Sequence, residues 1–332
     1  MDAFFEWFSL TLSDAFADLI NPKKRVTLLY LFTAIVFAST WYALKYGKQG
    51  FKHSLSWLAP AIWWHPSSRR DYSMWLLNKL IISLIGPSLL SQAVIATWIY
   101  WQALNWQAFS WIDGTAIITL PNGWVVALFT ACFFIIDDFS RFFLHWLMHK
   151  SPTLWAFHQV HHSAETMTPF TVFRTHPLEG ILFSLRSAVA QGIVIGVFAV
   201  CFPKQMSLYT VFGVVVSTYL FNLFGANLRH STLPISYGKY LERFIVSPAQ
   251  HQLHHSLNPS HFDCNFGVVL AVWDRLFGTL QFGNDHQKIH FGVSGKMKSP
   301  KLFELYYVPL QLAWVIFKKR LLNLRKRLEQ IQ

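Results

Sequence analysis

Apolar stretches of about 20 residues limit most strongly what this chain can fold into. A helix of that length rises about 30 Å, the thickness of the hydrocarbon core of a bilayer. Such stretches lie at 26–44, 80–101, 123–146, 183–202 and 207–227. The composition agrees, because 53% of the residues are hydrophobic and only 13% are charged. We predict an all-α, polytopic membrane helical bundle with about five spans, in a range of four to six.

The loops between these stretches predict the orientation. Residues 45–79 carry six Lys or Arg against one Asp, whereas residues 102–122 carry neither Lys nor Arg. Loops rich in Lys and Arg stay in the cytoplasm, so the first loop is expected inside and the second outside. One cluster conflicts with this order. Lys23-Lys24-Arg25 would lie outside if 26–44 crosses once. The topology of 26–44 is therefore left open between a single crossing, a re-entrant segment and one partner of a hairpin.

The net charge of +12 is assigned to loops that face anionic lipid headgroups. No soluble module is visible to present this charge to nucleic acid, so the expected partner is the bilayer and not nucleic acid. The three cysteines are not spaced for a zinc ribbon or a redox pair.

Eight of the 15 histidines fall into three tight sets. The sets read His145-x3-His149, His158-x2-His161-His162 and His251-x2-His254-His255. On a helix, positions i, i+3 and i+4 span about 100° of the circumference, so we expect each set to direct its imidazoles toward one point. His-x-x-His-His is expected by chance about 0.03 times in such a chain, yet it occurs twice. The pattern predicts a multinuclear metal site.

The positions of the sets predict that they share one membrane face. Ser151-Pro152 and Ser247-Pro248 each combine an N-cap residue with a proline at the first helical position, just before a histidine set. Two predicted spans separate His162 from His251, so the chain returns to the face that it left. We therefore expect a helical, histidine-rich cap on the cytoplasmic face, and a multi-pass protein whose active site faces the cytoplasm.

The number of ligands indicates which metal is bound. Structural zinc takes four ligands, whereas eight or more imidazoles with open positions suit iron that activates dioxygen. The predicted cofactors are two non-heme iron ions, with O2 as co-substrate. Metal-bound imidazoles usually donate their second N–H to a carboxylate or carbonyl. The candidate acceptors near the sets are Asp138, Glu165, Asp263 and Asp274.

Several longer motifs resemble the fatty acid hydroxylase/sterol desaturase superfamily, which consists of membrane histidine-motif di-iron oxygenases and includes sterol desaturases and alkylglycerol monooxygenases. The resemblance covers about 130–285. It is carried by Asp138-Phe-Ser-Arg-Phe-Phe-Leu-His145, Leu154-Trp-Ala-Phe-His158-Gln-Val-His161-His162-Ser-Ala-Glu165, Arg174-Thr-His176-Pro-Leu-Glu179, Asn227-Leu-Arg-His230-Ser, Ser247-Pro-Ala-Gln-His251-Gln-Leu-His254-His255-Ser, Asp263-Cys-Asn-Phe-Gly267 and Trp273-Asp-Arg-Leu-Phe-Gly-Thr279.

The resemblance implies oxygenation of a lipid C–H bond and electrons from a separate donor, either a cytochrome b5-like protein, a ferredoxin or a reductase. It adds His176 and Asn227 to the candidate site residues. Many relatives have a histidine at the position of Gly225, so His230 is taken as the replacement ligand. The lipid is left open among a sterol, a fatty acyl chain, an ether lipid and an aminolipid, as is hydroxylation against desaturation.

Three regions are expected along the chain. They are an N-terminal amphipathic helix with the first spans (1–122), a catalytic domain with the histidine sets (123–285) and a basic amphipathic tail (286–332). The alternative functions are a metal transporter, a membrane zinc hydrolase and an inactive relative with a structural or lipid-binding role.

Overall fold

The computed structural model describes residues 2–22, 24–85, 91–105, 120–203, 205 and 226–330. These residues form α-helices joined by loops and short 3-10 helices. Within the described ranges the chain has no β-strand beyond two isolated bridges, Ile245–Leu270 and Ser256–Phe291. The prediction of an all-α fold is confirmed.

The α-helices are α1 (Asp2–Ala17), α2 (Leu28–Leu55), α3 (Pro60–Trp63), α4 (Pro66–Ile85), α5 (Gln92–Asn105), α6 (Asn122–Lys150), α7 (Pro152–His162), α8 (Pro177–Cys201), α9 (Gly238–Leu241), α10 (Pro248–His254), α11 (Val272–Leu276) and α12 (Glu304–Glu329). The 3-10 helices are Ser56–Leu58, Pro169–Phe173, Ala226–His230, Pro259–His261 and Gly295–Met297.

Three helical segments of the described chain are long and apolar enough to cross a membrane. They are Leu28–Trp63, Asn122–Lys150 and Pro177–Cys201, and they contain or overlap three of the predicted spans. The other two predicted spans, 80–101 and 207–227, include residues 86–90 and 206–225, which lie outside the described residues. Gly225 and most of the loop 102–122 lie outside them as well. The number of spans therefore stays a prediction.

Helices α5, α6 and α8 form one packed layer. Phe129 on α6 meets Phe198 on α8 edge to face, with ring centroids 5.2 Å apart. On the other side of α8, Gly192 faces α5 so closely that a Cβ there would lie 2.7 Å from Cβ of Ile95. Since real Cβ atoms do not approach so closely, this crossing requires glycine. The layer fixes the end of α6, where the first histidines lie.

Helix α2 reverses direction at Gly47. This residue has φ 62° and ψ −148°, a region of the backbone map that is open almost only to glycine. The hydroxyl of Ser54 donates to Ser39 Oγ at 3.1 Å, although a straight helix would place residues 15 positions apart about 22 Å from each other. The segment predicted as the first span is therefore one arm of a helical hairpin.

The N-terminal half of α2 packs on the histidine-bearing part of the chain. Ala34, Ala38 and Tyr42 are buried against Leu228 and Ile235. Its opposite face exposes large apolar side chains at every fourth position, Leu28, Phe32 and Val36. One face of this helix thus belongs to the protein core and the other is suited to lipid.

Helix α12 packs against α7. Its buried Leu305 and Val308 join Met74, Val160 and Met297 in one apolar cluster. Val160 lies inside the second histidine set, so this cluster fixes the helix that carries the set. The tail is thus partly built into the core.

Candidate metal centre

Two of the helices that carry histidines begin as the Ser-Pro pairs predict. Ser247 is the N-cap of α10, where its side chain accepts a hydrogen bond from the backbone N–H of Gln250 at 3.1 Å and Gln250 bonds back to the N–H of Ser247. Ser151 occupies the N-cap position of α7, but its side chain makes no capping hydrogen bond. Proline at the first helical position fixes φ in both helices.

Nine histidines gather in two groups in which the ligand nitrogens all lie within 4.8 Å of one another. The first group is His145, His149, His158, His162 and His254, and the second is His161, His230, His251 and His255. The groups adjoin, since the rings of His162 and His255 stack with centroids 4.4 Å apart. Each of the nine histidines predicted to bind metal thus lies in one of two groups of ligand-like geometry.

Each His-x-x-His-His set is divided between the two groups, and the expectation that a set points to one place is wrong. In α7, His158 and His162 belong to the first group and His161 to the second. In α10 and at its C-cap, His251 and His255 belong to the second and His254 to the first. Positions i and i+4 are only about 40° apart around a helix, whereas i+3 lies about 100° from i+4. A single His-x-x-His-His set therefore contributes imidazoles to both histidine groups.

Hydrogen bonds fix the protonation of three rings in the first group. Nδ1 of His145 lies 2.8 Å from the carbonyl of Phe266, and Nδ1 of His254 lies 2.7 Å from the carbonyl of Cys264. Nδ1 of His158 lies 2.8 Å from Oε1 of Glu179. Carbonyl and carboxylate oxygens only accept, so each Nδ1 carries a proton and each neutral ring presents a lone pair at Nε2.

These lone pairs face one another. Nε2 of His145 lies 3.0 Å from Nε2 of His158, and Nε2 of His254 is buried without a hydrogen-bond partner in the described part of the chain. Two lone pairs at this distance cannot hydrogen-bond and repel each other, whereas a cation between them would be bound by both. Imidazoles at about 2.1 Å from one octahedral metal have neighbouring nitrogens about 3.0 Å apart. The first group therefore fits a metal ion.

The second group has the same spacing. Nε2 of His230 lies 3.2 Å from Nε2 of His161 and 3.1 Å from Nε2 of His251. Nε2 of His255 lies 3.2 Å from that of His251. His230 ends the 3-10 helix Ala226–His230 and completes the group.

Burial keeps the imidazoles outside the apolar helices neutral. It lowers the pKa of His161, His162, His230, His251 and His255 well below the usual value. It lowers the pKa of His254 to about 3. Neighbouring imidazoles act in the same direction, because each disfavours a charge on the next. The neutral form is the one that binds metal.

Glu179 is the carboxylate that contacts a histidine most closely, and the sequence assigned it no role. It lies in the first turn of α8 and is 2% exposed. One sequence feature could have pointed to Glu179. It is a glutamate at the start of an apolar helix, where an unpaired carboxylate is energetically unfavourable. The pairing with His158 was hidden because the two residues lie 21 positions apart.

Asp274 and Asp138 support the loop that holds His145. Asp274 accepts hydrogen bonds from the N–H of Phe266 at 2.8 Å and of Gly267 at 2.7 Å. Asp138 accepts from the N–H of Leu270 and from the indole of Trp273. Both act on the backbone around Phe266, whose carbonyl holds His145. Burial raises the pKa of Asp274 to about 6.

The remaining candidates lie around the groups. Asp263 Oδ1 is 3.8 Å from Nδ1 of His149. Glu165 pairs with Arg70 at 3.4 Å and accepts from Ser299. His176 is the N-cap of α8, and its Nε2 donates to the carbonyl of Tyr306. Asn227 donates to the carbonyl of Arg25 at 3.0 Å.

Arg174 fixes the end of α7. It lies in one of the motifs that resemble the superfamily, but the sequence assigned it no role. Its buried guanidinium donates to the carbonyls of Val160 and Ser163 and pairs with Asp71 at 2.9 Å. A cation at the carbonyl end of a helix is favourable, and here it anchors the turn that carries His161.

Two of the cavities formed by the described residues reach the two histidine groups. One, of about 330 Å³, meets the first group at His149, His162 and His254. The other, of about 460 Å³, meets both groups, at His145 and His158 and at His161 and His230. A cavity that reaches both groups is the better placed for a reaction that uses both.

Residues 130–279 match the family model described as fatty acid hydroxylase. This part of the chain is similar to a fatty acid hydroxylase domain. This domain contains all nine histidines of the two groups. No solved structure matches the chain.

Among curated proteins, the chain is similar to enzymes that modify lipids. An alkylglycerol monooxygenase of Xenopus tropicalis is 27% identical over 184 residues, which are 55% of this chain and 37% of that protein. A Delta(7)-sterol 5(6)-desaturase of Gibberella zeae is 30% identical over 47% of this chain and 43% of its own length. An ornithine lipid hydroxylase of Rhizobium tropici is 26% identical over 56% and 51%. The chain thus spans about half or less of these relatives.

Proposed function

We propose that this chain is a membrane-bound di-iron oxygenase that uses O2 and external electrons to hydroxylate or desaturate a lipid. The observation that carries the proposal is the pair of adjoining histidine groups, in which fixed lone pairs converge. The relatives are named as a monooxygenase, a desaturase and a hydroxylase, and this supports iron over zinc.

The nine histidines would hold two iron ions, and the irons would supply the activation of dioxygen and the oxidation of a C–H bond. Glu179 keeps His158 in the tautomer that binds metal and makes its Nε2 more basic. The carbonyls of Phe266 and Cys264 do the same for His145 and His254. Burial of both groups excludes bulk water from the reacting position.

The lipid is proposed to enter the cavity of about 460 Å³. Its wall includes the apolar side chains of Val172, Phe183 and Val268 beside histidines of both groups. Helices α6 and α8 line it, and both are long enough to cross a bilayer. A substrate dissolved in the membrane would thus reach the site without passing through water.

The remaining parts of the proposal concern the setting. We propose about five spans, a cytoplasmic histidine-rich cap and a separate electron donor, either a cytochrome b5-like protein, a ferredoxin or a reductase. The loop charges support the orientation. The regions 1–122, 123–285 and 286–332 are kept as the proposed organisation.

The test is iron content together with oxygen-dependent product. Purified protein should hold about two iron ions per chain and, with a reductant, should convert a membrane lipid only when O2 is present. The variants His161→Ala and His254→Ala each lose one proposed ligand and should lose turnover. His286→Ala changes an exposed histidine outside both groups and should keep it. Full turnover in the first two variants would refute the proposal.

A further inference from the structure

Three arginines line the cavity that reaches both histidine groups. Arg25 precedes α2, Arg141 lies on α6 and Arg186 lies on α8. They come from three separate elements, so the fold brings them together at one wall. The proposed oxygenase reaction assigns no role to these three cationic side chains.

One acid serves two of these arginines. Oδ2 of Asp137 lies 2.9 Å from Nε of Arg141, and Oδ1 lies 2.9 Å from Nη1 of Arg186. One carboxylate balances only one of the two guanidinium charges. Glu179 is the carboxylate in the cavity wall, and it is engaged with His158.

Arg25 adds a further positive charge. Its Nη2 donates to the carbonyl of Ala226, and its buried Nε has no hydrogen-bond partner among the residues that the structure describes. Burial lowers the pKa of Arg25 to about 9, and the neighbouring charges of Arg229 and Arg141 act in the same direction. The side chain remains a cation at neutral pH, surrounded by other cations.

The positions of Arg141 and Arg186, far from the nearer ends of their helices, also indicate a ligand site. Arg141 lies nine residues before the end of α6 at Lys150 (150 − 141), and Arg186 lies nine residues after the start of α8 at Pro177 (186 − 177). Nine residues of helix rise about 13 Å. Charged side chains at such positions are costly and mark substrate or ion sites. The ion pair between Asp137 on α6 and Arg186 on α8 is enough to join the two helices. The charges of Arg25 and Arg141 are therefore not needed for this contact.

We propose that this cavity binds the oxyanion of a lipid head group, a phosphate or a carboxylate, through Arg25, Arg141 and Arg186. The inference rests on the proposed function in taking the lipid as the substrate, and it narrows the substrate class to anionic or zwitterionic lipids. Guanidinium groups match both oxyanions because they present several N–H donors in one plane. The apolar wall at Phe183 and Val268 receives the chain of the same lipid.

The experiment measures binding without turnover. Metal-loaded protein in neutral detergent under argon is titrated with tritiated hexadecyl phosphate, palmitate and hexadecanol, and bound ligand is counted by scintillation proximity. We expect one of the two anions to bind at least about tenfold more tightly than hexadecanol. The anion that binds more tightly identifies the oxyanion as phosphate or carboxylate.

Three substitutions locate the site. Arg25→Gln and Arg186→Gln should each remove most of the preference for the anion, while hexadecanol affinity changes by less than about twofold. Arg25→Lys keeps the charge and should keep the preference. Arg69→Gln, which removes an exposed arginine outside the cavity, is the matched control. The melting temperature and metal content of each variant show that it is folded.

Two outcomes would overturn the inference. One is equal affinity of the unsubstituted protein for both anions and hexadecanol. The other is an unchanged anion preference in folded Arg25→Gln and Arg186→Gln. The proposed function fails separately, because protein that binds the anion but oxygenates no lipid would keep this inference and reject the oxygenase.

Discussion

Glu179 orients one ring of the first histidine group through a single buried hydrogen bond. Oε1 accepts from Nδ1 of His158 at 2.8 Å, and both side chains are almost fully buried. Carboxylates in this position orient the ring and raise the basicity of the nitrogen that binds metal. Glu179 is thus a positioning residue for the proposed centre.

Glu179→Gln should weaken metal binding by about 10- to 100-fold, because a neutral amide raises ligand basicity less than a carboxylate does and can also turn its NH2 group toward Nδ1. The measurement is Co(II) affinity by absorbance titration of metal-stripped protein. Glu165→Gln is the control, since Glu165 bonds to Arg70 and Ser299. Equal Co(II) affinity in the Glu179→Gln variant and the unsubstituted protein would contradict this assignment.

At the scale of single residues, the sequence predicted which histidines come together. It did not predict the groups that orient their rings. The histidines repeat at helical spacing, so the pattern is local and visible. Glu179 joins His158 only through the packing of α8 on α7. The carbonyls of Phe266 and Cys264 carry no signal at all, because every residue has a carbonyl. Tertiary contacts of this kind lie beyond a reading of periodicity.

Among the helices, α2 shows why a long apolar pattern does not determine a span. Its apolar residues continue at helical spacing, and a lone glycine inside a helix is usually tolerated. Gly47 nevertheless turns the chain back, so that Ser54 meets Ser39. The turn depends on a backbone conformation that the hydrophobic pattern does not encode.

Gly47→Ala should destabilise the protein by about 1–3 kcal/mol, because a Cβ is strained at φ 62° and ψ −148°. No described atom lies within 4 Å of the added methyl group, so the expected effect comes from the backbone conformation alone. Thermal unfolding in detergent measures it. Gly123→Ala, in the first turn of α6 and also without a neighbour within 4 Å, should leave stability unchanged or raise it slightly. An equal loss of stability in Gly47→Ala and Gly123→Ala would contradict the hairpin turn at Gly47.

Helix α12 offers a second comparison within one element. Leu305 is 0% exposed in the cluster against α7, whereas Leu310 is 49% exposed. Leu305→Ala should cost about 2–5 kcal/mol through the cavity it leaves, and it should also weaken metal binding by loosening α7. Leu310→Ala should change stability by less than about 0.5 kcal/mol. The melting temperature and the Co(II) titration measure both, and similar values for the two variants would mean that α12 does not support α7.

For the whole molecule, both ends of the first arm of α2 contact the histidine-bearing part of the chain. Near one end, Arg25 donates to the carbonyl of Ala226. Near the other, Tyr42 donates to the carbonyl of Pro234 at 3.0 Å and Lys45 pairs with Asp285. In the proposed topology, Arg25 would therefore lie on the same side of the membrane as the proposed cap, and the conflict over the basic residues that precede α2 would be removed. In that topology the orientation would depend on α6 and α8, which are long and apolar enough to cross a membrane.

Cysteine labelling in intact cells tests this arrangement. Helix α6 has 29 residues and is about 43 Å long, so its two ends lie on opposite sides of a bilayer if it crosses. A cysteine at Asn122, at its exposed start, should react with an impermeant thiol reagent from outside. Cysteines at Ser260, Lys24 and Lys48, which are exposed positions, should react only after permeabilisation, and the unsubstituted protein measures the background from Cys132, Cys201 and Cys264. Labelling of Ser260→Cys in intact cells would place the histidines outside. Labelling of Lys24→Cys alone would mean that α2 crosses the membrane after all, since the two ends of its first arm would then lie on different sides.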